Sequence, residues 1–203
     1  MRAVWRARTR TIPSVVSTVE TTRSRVVDGA RNTTVYLDFD TVMLARFQGR
    51  RGIELSLQAD IPEAIDRLSE IADQIVVLID PAPGDEGHGL ETSHRLEVMR
   101  GGLGTAVDRV SVVTCPHTDR GCDCAKPGSG LVKQARRDNG LSRGGWYIGG
   151  DQEGVVAGRN AGLRTIRVGP VGEDHLSVVH KPDYEARDLL DAANRIMLEE
   201  LAG

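Results

Sequence analysis

The chain has 203 residues, 39% of them hydrophobic and only 3% aromatic, with a formal net charge of -3. That length allows one ordinary domain plus an appendage, with a core resting on Val, Leu, Ile and Ala. The charge gives no nucleic-acid footprint over the whole chain, and no run of about twenty apolar residues or secretory apolar core indicates a membrane span or export.

Charge is unevenly spread. Residues 1–34 hold seven Arg against Glu20 and Asp28, a local excess of +5 that leaves -8 for the remainder. Residues 1–32, rich in Ser, Thr and Arg and without an apolar period, read as a disordered basic arm. A transit peptide, or a tail that touches anionic partners, is the competing reading. The domain proper is expected over 33–203.

After the arm, short apolar runs alternate with helical patterns. Thr34-Val35-Tyr36-Leu37 reads as a buried strand ending at Asp38. Asp60-Ile61-Pro62-Glu63 reads as a helix start, with Asp60 capping and Glu63 closing a capping box. Ile61, Ile65, Leu68, Ile71 and Ala72 mark one helical face. Ile75–Ile79 is a second strand without polar alternation, as when both sheet faces are covered. The loop 81–89 is too short for a large cap domain. Glu91–Met99 reads as a short helix, Val110–Val113 as a third strand and Leu131–Asp138 as a helix closed by Asn139-Gly140. Trp146–Ile148 is a fourth strand with Trp146 as packing, Val155–Ala161 a helix, Thr165–Val168 a fifth strand and Tyr184–Leu201 a last amphipathic helix. This alternation predicts a Rossmann-like α/β fold, a parallel sheet with helices on both faces. In such sheets ligands bind at the carboxyl ends of the strands.

Three sets of residues carry chemistry. Asp38 and Asp40 stand two positions apart at a strand end, where paired carboxylates serve as nucleophile and as proton donor and acceptor. All three cysteines gather in Cys115-Pro-His117 and Cys122-Asp-Cys124. Three thiolates and an imidazole complete a tetrahedral zinc set, which points to a structural rather than a catalytic metal; unligated cysteines and a redox switch on Cys122-Asp-Cys124 are the alternatives. The cluster argues against disulfides and for a reducing cytoplasm. Lys126 can neutralise a phosphoryl group, and Asp151, after Gly149-Gly150, can hold a hard cation or simply cap a helix.

In that order these pieces resemble the haloacid-dehalogenase (HAD)-like hydrolases. More narrowly they resemble the zinc-bearing branch with the heptose bisphosphate and histidinol phosphate phosphatases, over residues 33–170. The resemblance implies Asp38 as the nucleophile that takes the phosphoryl group, Asp40 as acid/base and Lys126 as the cation that steadies the phosphate. It implies magnesium held by Asp38, the backbone carbonyl of Asp40 and Asp151, and zinc held by Cys115, His117, Cys122 and Cys124 in a loop spanning 115–124. The implied activity is hydrolysis of a small phosphate monoester, a sugar phosphate among the candidates, through an aspartyl-phosphate.

Three departures weaken that implication. The family's Ser or Thr after the second strand is absent from Val77-Leu78-Ile79-Asp80-Pro81, Val155 stands where a further Asp is common, and Thr41-Val42 replaces the usual Gly-Thr. Loss of a preorganised donor slows turnover by a factor on the order of a hundred. Weakened catalysis is therefore one expectation, and an inactive binding or assembly module, recognising a protein partner or meeting nucleic acid through the arm, is the other.

Overall fold

In the computed structural model, the described residues are 33–47, 53–80, 88–115, 122–141, 144–169 and 181–202. The expected arm, the loop 81–87 and His117 lie outside them.

Six strands form one parallel sheet: β1 (Thr34–Asp38), β4 (Gln74–Ile79), β5 (Val110–Thr114), β6 (Trp146–Gly149), β7 (Arg164–Val168) and β8 (Tyr184–Ala186). Their order is β5-β4-β1-β6-β7-β8, so the chain runs outward from β1 to β5 and then returns to β6 on the other side. The switch point, where the direction of winding reverses, therefore lies at β1 between β4 and β6. Ligand clefts of doubly wound sheets open there.

Side-chain alternation explains the two covered faces. Val35 and Leu37 point to one side with Ile75, Val77, Ile79, Trp146 and Ile148, where helices α2 (Ile61–Ser69), α3 (His88–Leu103) and α6 (Leu189–Ala202) contribute Ile65, Leu68, Met99 and Ile196. Tyr36, Val76, Leu78 and Tyr147 point to the other, against Leu131, Val132 and Ala135 of α4 (Gly130–Asn139). Helix α5 (Gln152–Asn160) covers Tyr147 on this second face, because Gly158 lets its backbone come close. A Cβ on Gly158 would lie 2.7 Å from Tyr147 Cβ and 2.9 Å from Thr165 Cγ2.

Four sequence expectations are corrected. A single helical turn, α1 (Phe39–Val42), and an antiparallel hairpin of β2 (Met43–Phe47) with β3 (Ile53–Leu57) stand where no element was expected. The Tyr184 start of the last helix is instead strand β8, paired through Tyr184 with Ile166, and the helix begins at Leu189. Tyr184 meets both helical and strand spacing; pairing to the sheet edge and ring contact with Trp146 at 5.7 Å select the strand. Helix α3 extends past the expected Glu91–Met99 to His88–Leu103. The expected Asp60 cap makes no side-chain cap hydrogen bond, its backbone being helical rather than extended. Extended backbone at the cap position is what lets a carboxylate reach the N2 or N3 amide.

Glu200 ties α6 to β6, to β7 and to the residue that precedes β1. It accepts from Trp146 Nε1 at 2.9 Å and from Thr33 Oγ1 at 2.9 Å, and pairs with Arg164, whose guanidinium lies 3.7 Å from the Trp146 ring centroid. Burial pushes the Glu200 pKa up, but the Trp146 and Thr33 hydrogen bonds and the Arg164 charge outweigh it and hold the carboxyl below its usual range.

Two outcomes follow for stability. Glu200→Ala strands the fully buried Trp146 indole N–H and is expected to cost about 1–3 kcal/mol in chemical denaturation. The folded pKa is depressed, so the contribution is present above the unfolded value of about 4.3 and is lost as pH falls through the folded one; the gap between wild type and Glu200→Gln should narrow below about pH 4. Gly158→Ala overpacks the α5–β6 interface and should cost about 1–3 kcal/mol by the same assay.

Candidate active site and cysteine cluster

Three strand ends and one loop supply the site. Asp38 ends β1, which is buried at every residue, and is itself only 2% exposed. Lys126 comes from the loop between β5 and α4, and Asp151 from the turn between β6 and α5. Lys126 Nζ donates to Asp38 Oδ2 at 2.6 Å and to Asp151 Oδ2 at 3.0 Å, and lies 3.6 Å from Asp40 Oδ2. The four residues that sequence reasoning singled out thus meet around one ammonium.

Electrostatics of the group are those of a buried acid with one cation. Burial raises Asp38 to about 7, against the pull of the Lys126 charge and hydrogen bond; repulsion from Asp40 and Asp80 adds to the rise. Lys126 is raised: burial works against its charge, but Asp38, Asp80 and Asp151 outweigh it. Asp40 is exposed on α1, so its carboxyl reaches solvent while facing Lys126.

Asp151 has a double task. Its backbone is extended, and Oδ1 accepts from Gly154 N at 2.6 Å as the cap of α5, while Oδ2 takes Lys126. The cap reading of this residue is what the structure shows, and the second carboxylate oxygen is left to pair with Lys126. Gly154 makes the approach feasible: a Cβ there would lie 3.2 Å from Asp38 Oδ2 and 3.2 Å from Asp151 Oδ1.

Asp80 is the residue that sequence reasoning undervalued. It follows β4, lines the cleft with Asp38, Lys126 and Tyr147, and accepts a hydrogen bond from the Lys126 backbone N–H. Burial is the main reason its pKa is raised. The signal available in the sequence was its place directly after a buried strand neighbouring the Asp38 strand. The enclosed part of the cleft is about 10 Å³, room for one water, so a larger ligand has to sit at its mouth.

Val155, in the place of an expected acid, is fully buried and contributes packing. Glu153 is exposed on the first turn of α5. Val42 is buried in the core under the hairpin side of β1, which accounts for an apolar residue after Asp40.

Beside Lys126 lie the cysteines. The sulfurs of Cys115, Cys122 and Cys124 are within 4.8 Å of one another, with Cys115 Sγ and Cys122 Sγ 3.5 Å apart. That gap is far beyond a disulfide bond and close to the edge of about 3.8 Å that Zn–S bonds of about 2.3 Å give a tetrahedron. Burial and the two neighbouring sulfurs push the Cys124 thiol up to about 12. For Cys122 burial also raises, but hydrogen bonds from the Cys124 backbone and the Cys115 side chain win and lower it. The loop is wound tightly enough that a Cβ on Gly128 would sit 2.3 Å from Asp123 O, and Gly130 N bonds Asp123 O at 2.7 Å. Cys122, Cys124 and Lys126 therefore belong to one tightly wound turn.

No protein-family model matches the chain. Among solved structures, D,D-heptose 1,7-bisphosphate phosphatase from B. bronchiseptica, complexed with magnesium and phosphate, superposes with a TM-score of 0.61 at 19% identity, covering 82% of this chain and 99% of that one. The corresponding enzyme from Burkholderia thailandensis gives 0.55 at 19% identity over 81% and 98%. The chain has the HAD-like fold. Its helices cover both faces of a parallel sheet, and no large cap domain stands among the described residues. One curated relative, from Thermoplasma acidophilum, is named "Probable D-glycero-D-manno-heptose-1,7-bisphosphate 7-phosphatase"; it is 44% identical over 52 residues, 24% of this chain. The matched stretch spans about a third (32%) of that relative's length.

If the cysteine cluster holds zinc, the purified protein should contain about one equivalent by elemental analysis, and chelation or Cys122→Ser should lower the melting temperature by several degrees, since ligand binding is coupled to local folding. A melting profile unchanged after stripping would remove the metal from this loop.

Proposed function

We propose that the protein is a magnesium-dependent phosphatase of the HAD-like fold, acting on a small phosphate monoester of the sugar phosphate kind, with turnover reduced by its altered phosphate cradle. The observation that carries this reading is the convergence of Asp38, Asp40 and Asp151 on the single ammonium of Lys126. Support comes from the fold shared with heptose bisphosphate phosphatases and from the short match to a relative of that name.

The donor set suits a hard divalent cation. Asp38 Oδ2 and Asp151 Oδ2 both lie within hydrogen-bond reach of one point, occupied by Lys126 Nζ, and the carboxylates outnumber the cation. Magnesium takes one or two carboxylates and keeps several waters. Asp38, Asp151 and the Asp40 backbone carbonyl are the residues that would hold it, with water completing the shell that Val155 leaves open. When bound, the ion supplies positive charge beside the phosphoryl oxygens.

The protein's own residues account for the chemistry. Asp38 attacks phosphorus, forming an acyl-phosphate bond as the ester P–O bond breaks, and Asp40 gives its proton to the leaving oxygen. Water then attacks the phosphorus, Asp40 takes a proton from it, and the Asp38 carboxylate is released with inorganic phosphate. Lys126 neutralises charge on the nucleophile and the phosphoryl oxygens, the main demand of phosphoryl transfer. Its fixed position relies on the Asp38 and Asp151 hydrogen bonds and on the Asp80 contact to its backbone. If the cluster of Cys115, Cys122 and Cys124 holds zinc, with His117 as the fourth ligand that the resemblance implies, the ion would stiffen the loop that presents Lys126.

A second reading rests on Asp80. A partly buried carboxyl in the cleft opposes an anion where a neutral donor would favour it, and it suits a binding module that keeps the scaffold without turnover.

Purified protein with magnesium should release phosphate from at least one member of a monoester panel. Asp38→Asn, with an unchanged melting temperature, should lower that release on the order of a thousandfold or more. Full activity in Asp38→Asn would remove it as nucleophile, and a silent panel would favour the binding module.

A further inference from the structure

The side chain of Asp40 has little holding it directly. It is 69% exposed, and its contact with Lys126 at 3.6 Å is longer than a hydrogen bond. Its position is therefore set by the backbone of α1, a single turn of four residues. One turn is far below the length at which a helix persists by itself, so it depends on outside contacts. Three are from side chains of the turn: Phe39 and Val42 are in the core, and Thr41 Oγ1 donates to Ile148 O at 3.4 Å. The turn's last carbonyls still need donors, as at any helix end.

Gln58 supplies them. Its Nε2 donates to Thr41 O at 3.1 Å and its backbone N to Val42 O at 3.4 Å, closing the C-terminal end of the turn from across the hairpin. Gln58 directly follows β3, so the same residue joins the base of the hairpin to the turn that aims Asp40. We propose that Gln58 is a positioning residue for Asp40, holding through the Thr41 carbonyl the turn that presents the proton donor to the leaving group. This inference rests on the phosphatase reading above.

Leaving-group chemistry separates positioning from bulk stability. An alkoxide must be protonated as it departs, whereas p-nitrophenolate leaves without help; kcat/KM reports only the steps through transfer to Asp38. Gln58→Ala, and Gln58→Met, which keeps volume without the donor, should lower kcat/KM for the best alkyl monoester of the panel about tenfold or more. Their kcat/KM for p-nitrophenyl phosphate should stay within about twofold of wild type. Equal losses on both esters, no loss on either, or failure of both variants to fold would overturn the role of Gln58 while leaving the phosphatase reading intact. A wild-type protein inactive on every ester would instead overturn the phosphatase reading, and this inference with it.

Discussion

The arrangement depends on one ammonium in a mostly acidic cleft. Lys126 reaches Asp38, Asp151 and Asp40 at 2.6, 3.0 and 3.6 Å, with the first of these almost wholly buried. Charges brought this close in a partly dry site are costly unless paired. Without Lys126, three carboxyls from the ends of β1 and β6 would repel one another across the switch point. The residues that bring Lys126 in, the Cys122-Asp123-Cys124 turn before it and the glycines after it, are therefore as much a part of the site as the acids.

Close approach of backbone is the second constraint. Gly154 lets α5 begin directly over Asp38, so that one carboxylate of Asp151 both caps the helix and meets the ammonium. Gly158, one turn on, accepts the Tyr147 ring beneath it. Helix α5 is thus seated by two small residues on one face, and its seat determines where Asp151 stands. Packing on the far side of the sheet, through Trp146, Arg164 and Glu200, fixes the strand from which that turn departs.

The departures from the phosphatase pattern now have physical content. Asp80, in the run where the resemblance implies a hydroxyl, accepts a hydrogen bond from the Lys126 backbone instead. Val155, where the resemblance implies a further Asp, is wholly buried and packs instead. Thr41, in place of a glycine, gives up backbone freedom after Asp40, and the buried Val42 together with the Gln58 hydrogen bonds holds the turn in its place.

Much of this was legible in the order of residues. The uninterrupted apolar runs of β1 and β4 announce strands covered on both faces, because a period-two alternation survives only where one face meets water. Asp38, Asp40, Lys126 and Asp151 were readable as a set because strand-end positions in a parallel sheet share one edge. The hairpin, the strand at Tyr184–Ala186 and the open cap at Asp60 were not, since short segments satisfy both helical and strand spacing and only pairing partners distant in the chain decide between them. What the sequence by itself determined is the alternation of elements, the edge on which the acids gather and the clustering of the three thiols. Only the tertiary structure decided that Asp80 bonds the Lys126 backbone and that Gln58 holds the Asp40 turn, because both depend on hydrogen bonds between segments tens of residues apart or across a hairpin, which no local pattern encodes.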